Sequence, residues 1–133
     1  MNHFSIKELE KSETASRLGI NNTAPPEVRA SLENLVICLL DPLREAYGGP
    51  IYVNSGYRCP KLNAAVNGSP TSQHVKGEAA DIDTRKGKTE NARLFKLIRE
   101  RFDFDQLIDE KNYSWIHVSF KSKNKNRRQI LHL

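Results

Sequence analysis

The sequence predicts an α+β fold, in which N-terminal helices pack against a small antiparallel sheet. Three observations favour this class: a capped helix at the N-terminus, a long apolar helical stretch before residue 48, and short strand-like runs in the second half. The chain has 133 residues, of which 38% are hydrophobic and 28% charged. That is enough to bury one core without disulfides or a structural metal.

The first helices are predicted from their start and stop signals. Ser5 and Glu8 form a capping box, and Phe4 and Leu9 occupy the two staple positions beside it. Polar residues and a glycine between 12 and 19 indicate that this helix breaks and restarts before residue 21.

A longer helix is expected to begin at the Pro-Pro pair of 25–26 and to end at the Gly-Gly-Pro run of 48–50. Its apolar residues keep close to helical spacing. Cys38 lies inside the apolar run LVICLL, so we expect it to be a small core residue.

The second half reads as strands separated by loops and one more helix, which Thr89 caps. The strand-like runs are residues 51–53, 79–83, 105–110 and 115–120. Residues 111–114 are short enough to join the last two runs as a hairpin.

Charge divides the chain into a balanced body and a basic end. Lys and Arg number 21 against 16 Asp and Glu, and the whole excess lies in residues 121–133, which hold five basic residues and no acid. We therefore expect one domain over 1–120 and a basic C-terminal tail over 121–133. The tail would contact anionic polymers or remain a solvated end.

Composition also argues against several classes of protein. No nucleic-acid module is visible and the tail lacks interleaved aromatic residues, so we expect no specific nucleic-acid partner. No apolar run approaches the roughly 20 residues that a membrane span needs. The first residues predict a capped helix rather than a signal peptide.

Residues 72–81 read as S-x-H-x-x-G-x-A-x-D and point to a metal site. Gly77 permits a tight turn after His74, and Asp81 is an acid within an apolar strand, where it needs a partner or a metal. With His117 of the last strand, two histidines and one carboxylate would leave a fourth tetrahedral position for water, as in catalytic zinc sites. From spacing alone, structural roles for all three residues are equally open.

Three segments carry a further signal: SQHVKGEAAD at 72–81, WIHVS at 115–119, and NSGYRCP at 54–60 followed by Asn63. They resemble the zinc-ligand and S-G-Y-R-x-P-x-x-N motifs of the M15 family, which comprises D-alanyl-D-alanine carboxypeptidases and related peptidoglycan endopeptidases. The N-terminal region is similar to compact, M15A-type members. The resemblance runs from about residue 4 to residue 120 and implies a Hedgehog/DD-peptidase-like fold.

The resemblance implies one zinc ion held by His74, Asp81 and His117. It also implies that Arg58 meets a substrate carboxylate or carbonyl oxygen, a task that suits a permanently charged, bidentate guanidinium. Ser72 either hydrogen-bonds the substrate or orients its own loop.

The general base requires a separate argument, because some family members have Glu three residues before the last zinc histidine and this chain has Ser114. In the predicted hairpin Glu110 lies opposite Trp115 and shares a face with His117. We expect Glu110 to take a proton from the attacking water and to give it to the leaving amine. A slip of one residue would bring Asp109 there instead, and an exposed strand-end acid is the alternative.

Two functional hypotheses follow. The first is a zinc peptidase that hydrolyses D-amino-acid-containing stem peptides of bacterial peptidoglycan, as a D,D-carboxypeptidase or an endopeptidase; a phage or prophage lysin would explain why no export signal is visible. The second is a non-catalytic domain that binds zinc or wall peptide on the same scaffold. The Hedgehog signalling domain shares that scaffold, so fold alone does not decide activity.

Overall fold

The computed structural model describes residues 1–133 and confirms a mixed α+β architecture with a five-stranded sheet. The strands are β1 (Tyr52–Ser55), β2 (Ala79–Asp83), β3 (Gln106–Glu110), β4 (Trp115–Ser119) and β5 (Gln129–His132). Their order across the sheet is β1-β2-β4-β3-β5. Neighbours are antiparallel except β3 and β5, which are parallel.

Six α-helices accompany the sheet: α1 (Ile6–Glu10), α2 (Glu13–Leu18), α3 (Pro26–Leu35), α4 (Asp41–Tyr47), α5 (Pro60–Ala65) and α6 (Lys88–Arg101). A π-helical turn, Val36–Leu40, joins α3 to α4, so that the long predicted helix is continuous in space. None of these helices combines the length and the apolar character required to cross a membrane.

Helix boundaries follow the predicted caps at the N-terminus. The Ser5 hydroxyl accepts from the Glu8 N–H at 3.1 Å, and Ser12 caps α2 in the same way. Gly48 ends the long helix in the left-handed conformation. The predicted Thr89 cap is wrong, since α6 begins after Gly87 and no side chain caps it.

The core lies between the helices and one face of the sheet. Fully buried residues of this layer include Leu32, Leu35, Leu39, Leu94, Ile98, Ile82, Leu107, Ile116 and Val118. The prediction that Cys38 is a core residue is wrong: Cys38 is exposed. In the π-helical turn the residues that face the core are Val36, Leu39 and Leu40. Ile37 and Cys38 therefore lie on its outer side.

The end of the chain differs from the predicted tail. Gln129–His132 form β5 and extend the sheet beside β3, with Ile108 paired to Leu131. Arg128 also interacts with the body, because its guanidinium donates to the carbonyl oxygens of Phe102 and Arg99. A strand at this place is not predictable from local pattern, because four residues after a basic run are too few to show a strand period.

The β3–β4 hairpin has the predicted register. Glu110 lies opposite Trp115 and Ile108 opposite His117. Asp109 therefore points to the other face, where it is buried and contacts His132. The slip that would have exchanged Asp109 for Glu110 does not occur.

Candidate metal centre and cleft

The segment after β1 is anchored to α1 and to the loop that carries His74. The Tyr57 N–H donates to the Leu9 carbonyl oxygen at 2.7 Å, and the Arg58 N–H donates to the His74 carbonyl oxygen at 3.1 Å. A Cβ on Gly56 would lie 2.4 Å from the Leu9 oxygen, so only glycine allows this approach.

The His74 ring is buried and its orientation is set by a backbone oxygen. Its Nδ1 lies 2.7 Å from the Gly56 carbonyl oxygen. Because a carbonyl only accepts hydrogen bonds, Nδ1 carries a proton, and Nε2 is the ring nitrogen that faces Asp81. Gly77, at φ +72°, makes the expected turn after His74, and a Cβ there would lie 2.7 Å from the Val28 oxygen.

Asp81 and His117 meet because β2 and β4 pair them directly. His117 Nδ1 lies 3.1 Å from Asp81 Oδ1, and His74 Nε2 lies 3.3 Å from the same oxygen. The two imidazole rings stand edge to face, with centroids 5.2 Å apart. One nitrogen of each ring and one carboxylate oxygen thus lie within 4.8 Å of one another.

The electrostatics of Asp81 favour its ionised form. Burial by itself raises the pKa of this carboxyl, but the hydrogen bonds from His117 and His74 outweigh burial and hold the pKa well below its usual range. An ionised carboxylate is the form that binds a metal ion.

The donor set fits a divalent metal such as zinc. Bonds of roughly 2.0–2.1 Å in a tetrahedron separate the ligand atoms by about 3.3 Å, close to the 3.1 and 3.3 Å that separate Asp81 Oδ1 from the two nitrogens. The hydrogen bond from His74 to a backbone carbonyl is the outer-shell contact typical of metal-binding histidines.

The six site residues predicted from the sequence line one cleft: Arg58, Ser72, His74, Asp81, Glu110 and His117. Arg58 and Asp81 also line a neighbouring groove that is bounded by Ser12, Thr14 and Val66. These two residues therefore lie where the cleft and the groove meet.

The Arg58 guanidinium has no hydrogen-bond or ion-pair partner within the protein, and its Nε is buried without one. Burial lowers its pKa, and the charges of Asp81 and Glu110 partly offset that effect. Arginine nonetheless remains charged at neutral pH. A half-buried guanidinium with unused donors is suited to bind an oxygen of a ligand.

Glu110 shares the cleft with the triad, and Trp115 positions it. One carboxylate oxygen, Oε2, accepts from the Trp115 indole N–H at 3.2 Å. Ser114 instead bonds within the hairpin loop, where its hydroxyl donates to the Lys111 carbonyl oxygen at 2.7 Å. The Ser72 hydroxyl accepts from the His74 N–H at 3.2 Å.

Three polar residues near the triad were missed by sequence reasoning: Gln73, Asp105 and Arg127. Gln73 Nε2 donates to Asp105 Oδ2 at 2.9 Å, and Arg127 Nη2 donates to the same oxygen at 2.8 Å. The one signal available in the sequence was Asp105 itself, an acid that directly follows the Phe-Asp-Phe run at 102–104. The structure shows that this side chain is fully buried.

Comparison with known proteins agrees with this geometry. The sequence profile of the family described as Peptidase M15 matches residues 2–119, nearly the whole chain. A search among curated proteins finds no significant match. Members of the family are metal-dependent peptidases, and the His74, Asp81 and His117 group has the donors that such an enzyme requires. The chain belongs to the peptidase M15 family.

Proposed function

We propose that this metallopeptidase uses zinc to hydrolyse D-amino-acid-containing stem peptides of bacterial peptidoglycan, as a D,D-carboxypeptidase or an endopeptidase. The observation that carries the proposal is the convergence of two imidazoles and a carboxylate in a cleft that also holds an unpaired guanidinium and a second carboxylate. In the same proposal the architecture is of the Hedgehog/DD-peptidase type, and the peptidase domain spans residues 1–120 together with β5, which extends its sheet.

His74, Asp81 and His117 would hold one zinc ion. Zinc bound there supplies Lewis-acid polarisation of the scissile carbonyl and lowers the pKa of a water molecule. The chain prepares this set of ligands in advance, since Asp81 favours its ionised form and the Gly56 carbonyl keeps the His74 proton on Nδ1.

Glu110 is proposed as the general base and acid. The Trp115 N–H occupies Oε2, so Oε1 is the oxygen left to accept a proton from the attacking water and to return it to the leaving amine. The carboxylate lies on the same strand face as His117, which supports this assignment over Asp109.

Arg58 is proposed to bind a substrate carboxylate or carbonyl oxygen. Its unused N–H groups and its position beside Asp81 support this role, because a ligand oxygen would give the buried Nε the partner that the protein does not supply. Ser72 lines the same cleft and is proposed to act mainly on the His74 loop.

The test is hydrolysis of a stem peptide that ends in D-alanyl-D-alanine by the zinc-supplied protein. We expect Glu110→Gln to lower kcat by about 10²- to 10⁴-fold while it still binds one zinc per chain. The matched control is Asp109→Asn, which removes the neighbouring carboxylate on the opposite face and should leave kcat within a few-fold. His74→Ala should bind zinc weakly and lose activity.

The alternative, a binding domain without catalysis, draws on one observation. Ser114 stands where some family members have the catalytic Glu, and its hydroxyl is engaged in the hairpin loop. Stoichiometric zinc binding without cleavage across a broad panel of wall peptides would favour this alternative and exclude the peptidase.

A further inference from the structure

The C-terminal segment reaches the cleft although it lies outside the family match, which ends at residue 119. Arg127 lines the same cleft as the triad. Its backbone is held on both sides, since its own N–H donates to Asp105 Oδ1 at 3.0 Å and the next N–H, of Arg128, donates to the Phe104 carbonyl oxygen at 3.1 Å. Arg127 is therefore a fixed part of the cleft wall.

Asp105 holds the Arg127 guanidinium in one orientation. Nε and Nη2 donate to the two carboxylate oxygens at 3.0 and 2.8 Å, which is a bidentate pair. Asp105 is fully buried, and Gln73 donates to it from the loop that precedes His74. The guanidinium is thus preorganised by a carboxylate that is itself tied to the His74 loop.

Most of the donor capacity of Arg127 remains unused. Arginine has five N–H donors, and this side chain uses only two of them, both in hydrogen bonds to Asp105. The side chain is 50% exposed. The same cleft is also lined by three residues with hydroxyl groups, Ser69, Thr71 and Ser72.

The adjacent arginine has a different role. Arg128 donates to two backbone oxygens and stacks on the Phe104 ring, 4.6 Å from its centroid. It does not line the cleft, where Arg58 and Arg127 are the two guanidinium groups. Arg58 comes from the segment after β1 and Arg127 from the segment before β5, so they approach from separate parts of the chain.

We propose that Arg127 is a specificity-determining residue that binds a carboxylate of the peptide substrate on the cleft wall formed by residues 69–73, an inference that rests on the proposed peptidase function. A carboxylate matches the planar N–H pattern of a guanidinium and accepts from nearby hydroxyl groups. It comes either from the C-terminus of the peptide or from an acidic side chain within it.

The experiment is calorimetric titration of the full-length chain without added metal, so that binding is read without cleavage. Three peptides are compared: a D-alanyl-D-alanine stem peptide with one acidic residue, its C-terminal amide, and the analogue in which the acidic side chain is an amide. We expect the wild type to bind the parent at least about tenfold more tightly than one of the two amides. That amide identifies the source of the carboxylate.

Three variants test whether the preference for the parent peptide over that amide depends on Arg127. Arg127→Ala should bind the parent and that amide equally, and Arg127→Lys, which keeps an ion pair with Asp105 but loses the fork, should lose most of the preference. Arg128→Ala is the matched control and should keep the preference for the parent peptide. A preference that survives in Arg127→Ala, or equal binding of all three peptides by the wild type, overturns the proposal.

Cleavage of the parent by the zinc-supplied wild type is measured separately and reports on the proposed function alone. Cleavage without an Arg127-dependent preference rejects only the present proposal. A preference that depends on Arg127 without any cleavage supports carboxylate recognition and rejects the peptidase.

Discussion

Gly56 lies against the backbone of α1 and beside the candidate metal site. A methyl group at this position would lie 2.4 Å from the Leu9 carbonyl oxygen and 2.9 Å from its Cα, both atoms of the main chain. The same residue supplies the carbonyl oxygen that accepts from His74 Nδ1. One glycine thus links the packing of α1 to the orientation of the His74 ring.

Gly56→Ala is expected to lower the free energy of unfolding by about 2 kcal/mol, because backbone atoms must move to admit the methyl group. The shifted carbonyl would also weaken zinc binding by about tenfold or more, as loss of an outer-shell hydrogen bond does. Urea unfolding and competition titration with a zinc chelator measure the two effects. Gly49→Ala, which meets only the Tyr47 ring at 3.3 Å, is the control; equal behaviour of both variants would contradict the argument.

At the scale of elements, β5 decides whether β3 is an edge strand. The parallel pairing from Gln106 with Gln129 to Asp109 with His132 covers the outer backbone groups of β3. Without β5 these groups would face solvent and could pair with another chain. The exposed side chains of Lys123 and Lys125 take no part in this pairing, so their charge and the strand can be separated by experiment.

Deletion of residues 129–133 should lower the free energy of unfolding by about 2–4 kcal/mol, since several backbone hydrogen bonds and the cover over β3 are lost. Amide hydrogen exchange in β3 should become faster. The double variant Lys123→Ser with Lys125→Ser, which removes exposed charge and leaves β5 intact, should unfold like the wild type. A truncated chain with unchanged stability would mean that β5 does not contribute to the fold.

At the scale of the whole molecule, Asp105 ties three distant segments together. Its carboxylate accepts from Gln73 in the His74 loop and from both the backbone and the side chain of Arg127, and its own N–H donates to the Ser119 carbonyl oxygen at the end of β4. Burial raises the pKa of Asp105, but the hydrogen bonds from Arg127 and Gln73 outweigh burial and lower it to about 2.

This lowered pKa predicts acid sensitivity. The ordinary pKa of an Asp is 3.8, so ionised Asp105 stabilises the fold above about pH 4, and the contribution is lost as the pH falls toward 2. The shift corresponds to about 2 kcal/mol. Urea unfolding at pH 6 and pH 2.5 should show that Asp105→Asn loses about 1.5 kcal/mol less than the wild type over this interval, since pH 2.5 is still above the pKa of the folded state. Parallel acid dependence in the two proteins would show that Asp105 is not the group responsible.

Local chemistry explains which features were predictable. The caps at Ser5 and Ser12 depend on residues a few positions apart, and the hairpin register follows from a four-residue connection. The candidate metal donors were recognisable through the resemblance of residues 72–81 and 115–119 to family motifs, since spacing alone left structural roles for them equally open. Cys38 was misplaced because a π-helical turn changes which side of a helix faces the core, and its apolar neighbours conceal that change.

The sequence by itself determined the fold class, the caps at Ser5 and Ser12 and the strand face that carries Glu110, because each depends on contacts within a few residues or on a two-residue period. It indicated the three candidate donors through motifs that resemble those of a known family. Only the tertiary structure decided the place of β5 and the contact of Arg127 with Asp105 and, through it, Gln73. Those contacts join residues 22 to 32 positions apart. These contacts depend on which strand edge and which buried carboxylate remain unpaired in the rest of the folded chain. No local sequence pattern shows this.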